Sequence, residues 1–266
     1  MKKFITIVFA FLITFSFTNT VFAAGGHGAV LDEVHLNMKD KASLQNGAQL
    51  FVNYCLSCHS ARYSRYNRVA EDLEIPLDLL KENLMFTSEK TGDLMISTMP
   101  EKDSKRWFGV TPPDLTLISR VRGPDWIYTY LRAFYQDENS PSGWNNSLFE
   151  HVAMPHALYE LQGVQHLVGK VDESELHAVT HTQESSSHTE TPYTIVGDSK
   201  FELVHPGSRE PAEYDADMTD LTAFLAYLAE PAQLQREKIG IFTILFLIIL
   251  MGLCYLLKKE YWRDVH

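Results

Sequence analysis

The chain has 266 residues, with 23 Lys and Arg against 34 Asp and Glu, a formal net charge of −11 and three Cys. So acidic a chain offers no basic stripe for nucleic acid, and three Cys cannot build a disulfide framework. A 45% hydrophobic content excludes disorder throughout. The charge is unevenly placed. Lys2 and Lys3 are the only charges in 1–23, and 239–266 carry three basic and two acidic side chains. Residues 24–238 therefore hold 18 basic and 32 acidic ones, a net of −14.

The N-terminus has the pattern of a secretory signal: Lys2 and Lys3, an apolar stretch from Phe4 to Phe17, then Val21-Phe22-Ala23 with small residues at the −3 and −1 positions. Cleavage is expected after Ala23. A helix is expected over Leu44–Val52, leading into Cys55-Leu56-Ser57-Cys58-His59. In an exported chain, Cys-x-x-Cys-His reads as covalent haem attachment. Cys58 and His59 follow Cys55 by three and four residues, on one face of a helical turn. Both thiols can then bond the haem vinyl groups while the imidazole reaches the iron. A thioredoxin-like redox pair would sit after a strand, and a zinc site would need two more paired Cys or His. Neither pattern is present: Cys254 falls in an apolar run near the C-terminus.

A haem of this kind commonly takes Met as its sixth ligand. Met85, Met95, Met99 and Met154 are the candidates, and Met99 and Met154 each precede Pro, which stiffens a loop. A helix expected over Asp125–Tyr135 precedes Met154, and the last helix of the domain follows it. That order favours Met154 while spacing leaves Met99 open. Residues 164–209 look like a polar insertion broken by Pro192, Pro206 and Gly207, and they read as a solvated surface loop. They carry His166, His177, His181, His188 and His205. The four-residue spacing of His177 and His181 suits a metal, but no acidic or Cys partner at fixed spacing supports one. Trp107, Trp126 and Trp144 read as packing residues. There is no phosphate-binding Gly-rich loop and no Ser nucleophile elbow.

Asp220–Ala229 has apolar residues at helical period and stops before Glu230-Pro231. Ile239–Leu257 is uncharged over 19 residues, long enough to cross a membrane. Lys258, Lys259, Tyr261 and Trp262 follow it, as at a membrane interface. These ends make 24–238 an exported, periplasmic domain, 239–257 its transmembrane helix and 258–266 a cytoplasmic tail.

Gly47 and Phe51 precede Cys55 by eight and four residues on its own face. With the late Leu221-x-x-Phe224-Leu225-x-Tyr227-Leu228 helix, they resemble the mono-haem c-type cytochrome fold, whose first and last helices cross beside the haem. The run Leu44–Ser60 is similar to the cytochrome c1 family. So are Pro112-Pro113-Asp114-Leu115 with Arg120-Val121-Arg122-Gly123, Ala153-Met154-Pro155-His156 through Gly163, and Tyr214 to Glu230-Pro231 followed by the apolar helix. The resemblance implies a mostly α fold: a mono-haem c-type domain with extended loops and one C-terminal transmembrane helix. It implies one covalent haem c on Cys55 and Cys58, with His59 and Met154 as axial ligands, and it demotes Met99. It suggests Arg122, more weakly Arg120, as partner of a haem propionate, with Trp126 beside it. It further implies the haem subunit of a quinol–cytochrome c reductase, the cytochrome bc1 complex, with cytochrome b and a Rieske iron–sulfur protein as partners. Such a subunit takes electrons from the Rieske protein and passes them to a c-type cytochrome, in a complex expected to be dimeric. A stand-alone anchored cytochrome c feeding an oxidase shares the haem ligands. A haem peroxidase would need a vacant sixth position.

Overall fold

The computed structural model describes residues 29–171 and 193–263. The expected signal sequence, His177, His181, His188, Pro192 and residues 264–266 of the tail lie outside the described residues. Among the described residues helices dominate, as expected, with three small antiparallel sheets.

α1 (Lys41–Leu50) starts at Asp40, whose carboxylate accepts from the Ala42 and Ser43 N–H groups, two donors a helix start leaves unpaired. It buries Leu44, Gly47, Ala48 and Leu50 against a long helix from the far end of the domain, α8 (Pro211–Ala229). α8 opens with Pro211 in its first turn and a reciprocal Glu210/Glu213 capping box. It ends at Glu230, which precedes Pro231 and has left the helical region (φ −148°). The two helices cross at Gly47. A Cβ there would stand 2.7 Å from the Cβ of Phe224 and nearer still to the Asp220 carbonyl, so only glycine permits this approach. Phe51 fills the next step against Phe224, with ring centroids 5.6 Å apart. One polar edge of the crossing is closed by Asn46, whose Nδ2 donates to Asp217 (3.0 Å) and Asp220 (2.8 Å).

Between these helices the chain forms β1 (Ala61–Arg65), α2 (Tyr66–Leu73), α3 (Leu77–Asn83), β2 (Leu94–Met95), α4 (Glu101–Phe108), α5 (Ile118–Arg122) and α6 (Pro124–Arg132). Then come β3 (Phe134–Gln136), β4 (Trp144–Asn146) and α7 (Tyr159–Gln162). α6 stops three residues short of the helix expected to Tyr135. Side-chain amides capture its last carbonyls: Asn146 Nδ2 donates to Tyr130 O (2.8 Å), and Gln162 and Gln165 Nε2 donate to Arg132 O (3.0 and 2.9 Å). The chain leaves as β3 and pairs with β4.

The stretch 164–209 differs from the loop expected of it. Its described flanks form β5 (Gly163–Lys170), β6 (Thr194–Val196) and β7 (Ser199–Pro206), a sheet in the order β5-β7-β6. β6 and β7 turn over Gly197-Asp198, with Gly197 at φ +59°, the conformation a two-residue hairpin needs. Phe201 and Val196 pack with Ala133 in a small core at the end of α6. Arg132, itself buried, ties the parts together: it pairs with Asp215 of α8 through two nitrogens (2.6 and 3.1 Å) and with Asp32 of the N-terminal segment. Asp32 in turn accepts from Gly197 N (3.0 Å).

α9 (Gln233–Tyr261) follows Pro231. Its Lys238–Tyr261 portion has a mean hydropathy of 2.7 and no contact with the domain that would bury it. It contains the whole expected span 239–257.

Candidate functional site

α1 does not end at Leu50. It widens into one π turn, Phe51–Cys55, in which Leu56 N donates five residues back to Phe51 O (2.9 Å). The next turn closes tightly, with Cys58 N (3.0 Å) and His59 N (2.8 Å) both donating to Cys55 O. Cys55, Cys58 and His59 thus share a single turn, as their spacing requires. Both cysteines are half-buried free thiols. Burial, with Cys58 beside it, pushes the Cys55 thiol up to about 12.

His59 Nδ1 lies 2.8 Å from Pro113 O. A carbonyl only accepts, so Nδ1 carries the proton and the Nε2 lone pair is left to coordinate. Burial lowers the pKa of this imidazole, against smaller opposing effects of the Pro113 bond and Asp114, so it is neutral. The segment that presents Pro113 is itself fixed. Leu115 N donates to Ser60 O (2.8 Å), while Asp114 accepts from Arg62 N (2.9 Å) and Thr116 N (3.0 Å). Ser97 Oγ donates to Ser57 O (2.7 Å) and accepts from Met99 N (3.1 Å), so Met99 belongs to the shell of the motif loop.

A second group of side chains runs along α6. The Arg122 guanidinium lies 4.8 Å from the Trp126 ring centre, and Trp126 stacks on Tyr130 (4.9 Å, 12°). Tyr130 meets Phe134 edge-on (5.1 Å), and Phe134 stacks on His156 (4.9 Å). Trp126 and Tyr130 share a face of α6, one turn apart, while Arg122 at the end of α5 and Phe134 at the start of β3 extend the row at its two ends. Met154 lies against this ladder, its Sδ 3.5 Å from the Tyr130 hydroxyl. Burial pushes the Tyr130 phenol upward, so it keeps its proton. The Met154 loop is anchored by a buried Asn pair. Asn146 Oδ1 accepts from Leu148 and Phe149 N–H (3.0 and 3.1 Å), and Asn145 Oδ1 accepts from His151 N (3.0 Å). His156 is buried and burial holds its pKa down to about 3, against a small opposing effect of Gln162.

One apolar core joins the two groups: Cys55, Leu115, Trp126 and Tyr130 all pack against it. Tyr214 of α8 is buried in that same core, its hydroxyl donating to Leu131 O of α6 (2.9 Å). This donor set fits a covalently attached haem: two free thiols in one turn, a neutral imidazole with its outward nitrogen available, and a thioether on a separately anchored loop.

Of the residues expected from sequence, Cys55, Cys58 and His59 converge in the turn, and Arg122, Trp126 and Met154 lie along the ladder. Arg120 is elsewhere: exposed, and 3.9 Å from Glu230 at the end of α8. Among the described residues Arg122 has no carboxylate partner. Trp107 departs from its expected packing role and stands 61% exposed, because α4 is polar and buries only Ser104. Sequence reasoning missed Tyr130 and the Asn145-Asn146 anchor. Tyr130 had a signal, its position one helical turn after Trp126. The Pro113 carbonyl had none, since a main-chain acceptor leaves no trace in residue identity. Among the described residues no three His, Cys, Asp or Glu side chains gather to hold a metal ion.

A c-type attachment turn on the first of two crossing helices, followed, among the described residues, by one helix long and apolar enough to cross a membrane, defines a membrane-anchored mono-haem c-type cytochrome. The sequence profile of the cytochrome c1 family matches residues 33–175 and 203–265. Cytochrome c1 of Allochromatium vinosum is 46% identical over 266 residues, the whole of both chains. A Nitrosomonas europaea protein named ammonia monooxygenase gamma subunit is 43% identical over 243 residues, 91% of this chain and 92% of its own. Cytochrome c1 of Cereibacter sphaeroides is 23% identical over 280 aligned positions, 91% of this chain and 90% of its own. The chain belongs to the cytochrome c1 family. It is thus a haem electron-transfer subunit of the cytochrome bc1 complex, alongside cytochrome b and the Rieske protein, in a bacterial inner membrane, and it carries one covalently bound haem c.

Proposed function

We propose that Cys55 and Cys58 form the thioethers to the haem, that His59 Nε2 and Met154 Sδ are its axial ligands, and that the subunit relays electrons from the Rieske iron–sulfur protein to a c-type cytochrome. The observation that carries this reading is the His59 Nδ1 bond to Pro113 O. It fixes tautomer and ring orientation and leaves the other ring nitrogen for iron. When bound, the haem supplies a one-electron ferric/ferrous couple.

The chain's own residues do the rest. Pro113 holds the imidazole against rotation. The Asn145-Asn146 anchor and Pro155 hold the Met154 thioether in place. Were His59 and Met154 both to hold the iron, the protein would leave no position for a peroxide or dioxygen, which a peroxidase would need. Arg122, spread over Trp126 and with no carboxylate partner among the described residues, is the partner for a propionate. Arg120, drawn to Glu230, is the weaker choice. Residues 24–238 then lie on the periplasmic side after removal of 1–23, with 239–257 spanning the membrane, 258–266 cytoplasmic, and the complex dimeric.

The test is purification of the full chain in mild detergent, with subunit identification and spectra in both oxidation states. Cytochrome b and the Rieske protein should co-purify, and the oxidised form should be low-spin with the weak far-red Met-to-iron band. That band should vanish in Met154→Leu and persist in Met99→Leu. A high-spin spectrum of the native protein overturns the ligand assignment.

A further inference from the structure

We propose that Tyr130 is a positioning residue for the sixth ligand, its hydroxyl donating a hydrogen bond to Met154 Sδ that raises the reduction potential of the haem. This rests on Met154 being that ligand.

The donor is 3.5 Å from the sulfur, an ordinary length for a bond to a large, soft acceptor. It is the hydroxyl's only hydrogen bond among the described residues. The phenol is also oriented by its surroundings rather than free to swing. Trp126 lies flat on one side at 4.9 Å, Phe134 meets it edge-on at 5.1 Å, and its backbone carbonyl is held by Asn146 at 2.8 Å. Asn146 is the residue that also anchors the Met154 loop through Leu148 and Phe149. Donor and acceptor are therefore fixed by one shared anchor.

A thioether sulfur has two lone pairs. One can bind iron while the other accepts the Tyr130 proton, which selects the orientation of the Met154 side chain. The hydrogen bond also withdraws electron density from the sulfur. A poorer donor stabilises ferric iron less than ferrous iron, so the potential rises.

The test is a redox titration of the detergent-purified complex carrying Tyr130→Phe, read with the far-red band. Loss of the hydroxyl alone should shift the midpoint potential down and move the band without abolishing it. Tyr130→Leu, which also removes the ring, should weaken the band through loosening of the loop. A Tyr130→Phe potential equal to or above wild type overturns the inference, as does a downward shift seen only in Tyr130→Leu, which would mark the ring as packing alone. Met154→Leu separates the two levels. If it keeps the band, the ligand assignment itself is wrong. If it loses the band while Tyr130→Phe is unchanged, only the role of Tyr130 fails.

Discussion

Each strong side chain of the attachment turn depends on a weaker one behind it. His59 is aimed by Pro113 O, and Pro113 is held by Asp114, which accepts from Arg62 and Thr116. Partial burial alone would raise the Asp114 pKa. The hydrogen bonds from Thr116 and Arg62 outweigh it and hold the carboxyl below the usual carboxylate range. A depressed folded-state pKa contributes stability that is fully present above the unfolded value, near 4, and lost as pH falls through the folded one. Asp114→Asn should therefore lower stability at neutral pH by about 1 kcal/mol, the low end for a hydrogen-bonded charge because the group stays partly in water. It should also flatten the acid limb of the stability curve. Thermal unfolding of the holoprotein from pH 7 down to about 3 checks both. Equal midpoints for wild type and variant across that range would show that Asp114 holds nothing.

At the scale of elements, the α1–α8 crossing was legible in sequence and the sheet was not. Gly47, Phe51 and Cys55 share one face at four-residue steps, and such a face with a glycine in it announces a close helix approach. Gly47→Ala would place a methyl group against Asp220 O and the Phe224 Cβ (2.7 Å), and the first of these is backbone that cannot step aside. The expected cost is about 2 kcal/mol. It should appear as a lowered melting temperature in far-UV circular dichroism, with reduced haem retention because Cys55 rides on the same helix. The sheet is masked in sequence by the polar content and the prolines of 164–209. The hairpin chemistry was present: Thr194-Ile195-Val196, then Gly197-Asp198, then Ser199-Lys200-Phe201, two strand-forming runs around a two-residue glycine turn. The early end of α6 was hidden for a different reason. Nothing local stops that helix; the amides of Asn146, Gln162 and Gln165 reach its last carbonyls from elements distant in sequence.

At the scale of the whole molecule, the negative charge is gathered in the part of the chain that precedes the apolar helix. Residues 24–238 carry a net of −14, while the cationic side chains beyond them, Lys258, Lys259 and Arg263, lie past the uncharged stretch 239–257. Charge of one sign on a tethered domain attracts a mobile partner of the other sign and orients it before contact. Such steering acts on the rate of encounter more than on the lifetime of the complex, and it is screened over roughly 8 Å at physiological salt. A basic soluble c-type cytochrome should therefore be reduced by this complex at a second-order rate that falls steeply as salt rises. An acidic cytochrome of similar potential should be reduced more slowly, and faster as salt screens the repulsion. Opposite slopes for the two acceptors would assign the acidity to docking. A flat dependence with both would leave it a solubility feature, because a field that guides the partner cannot survive screening unchanged.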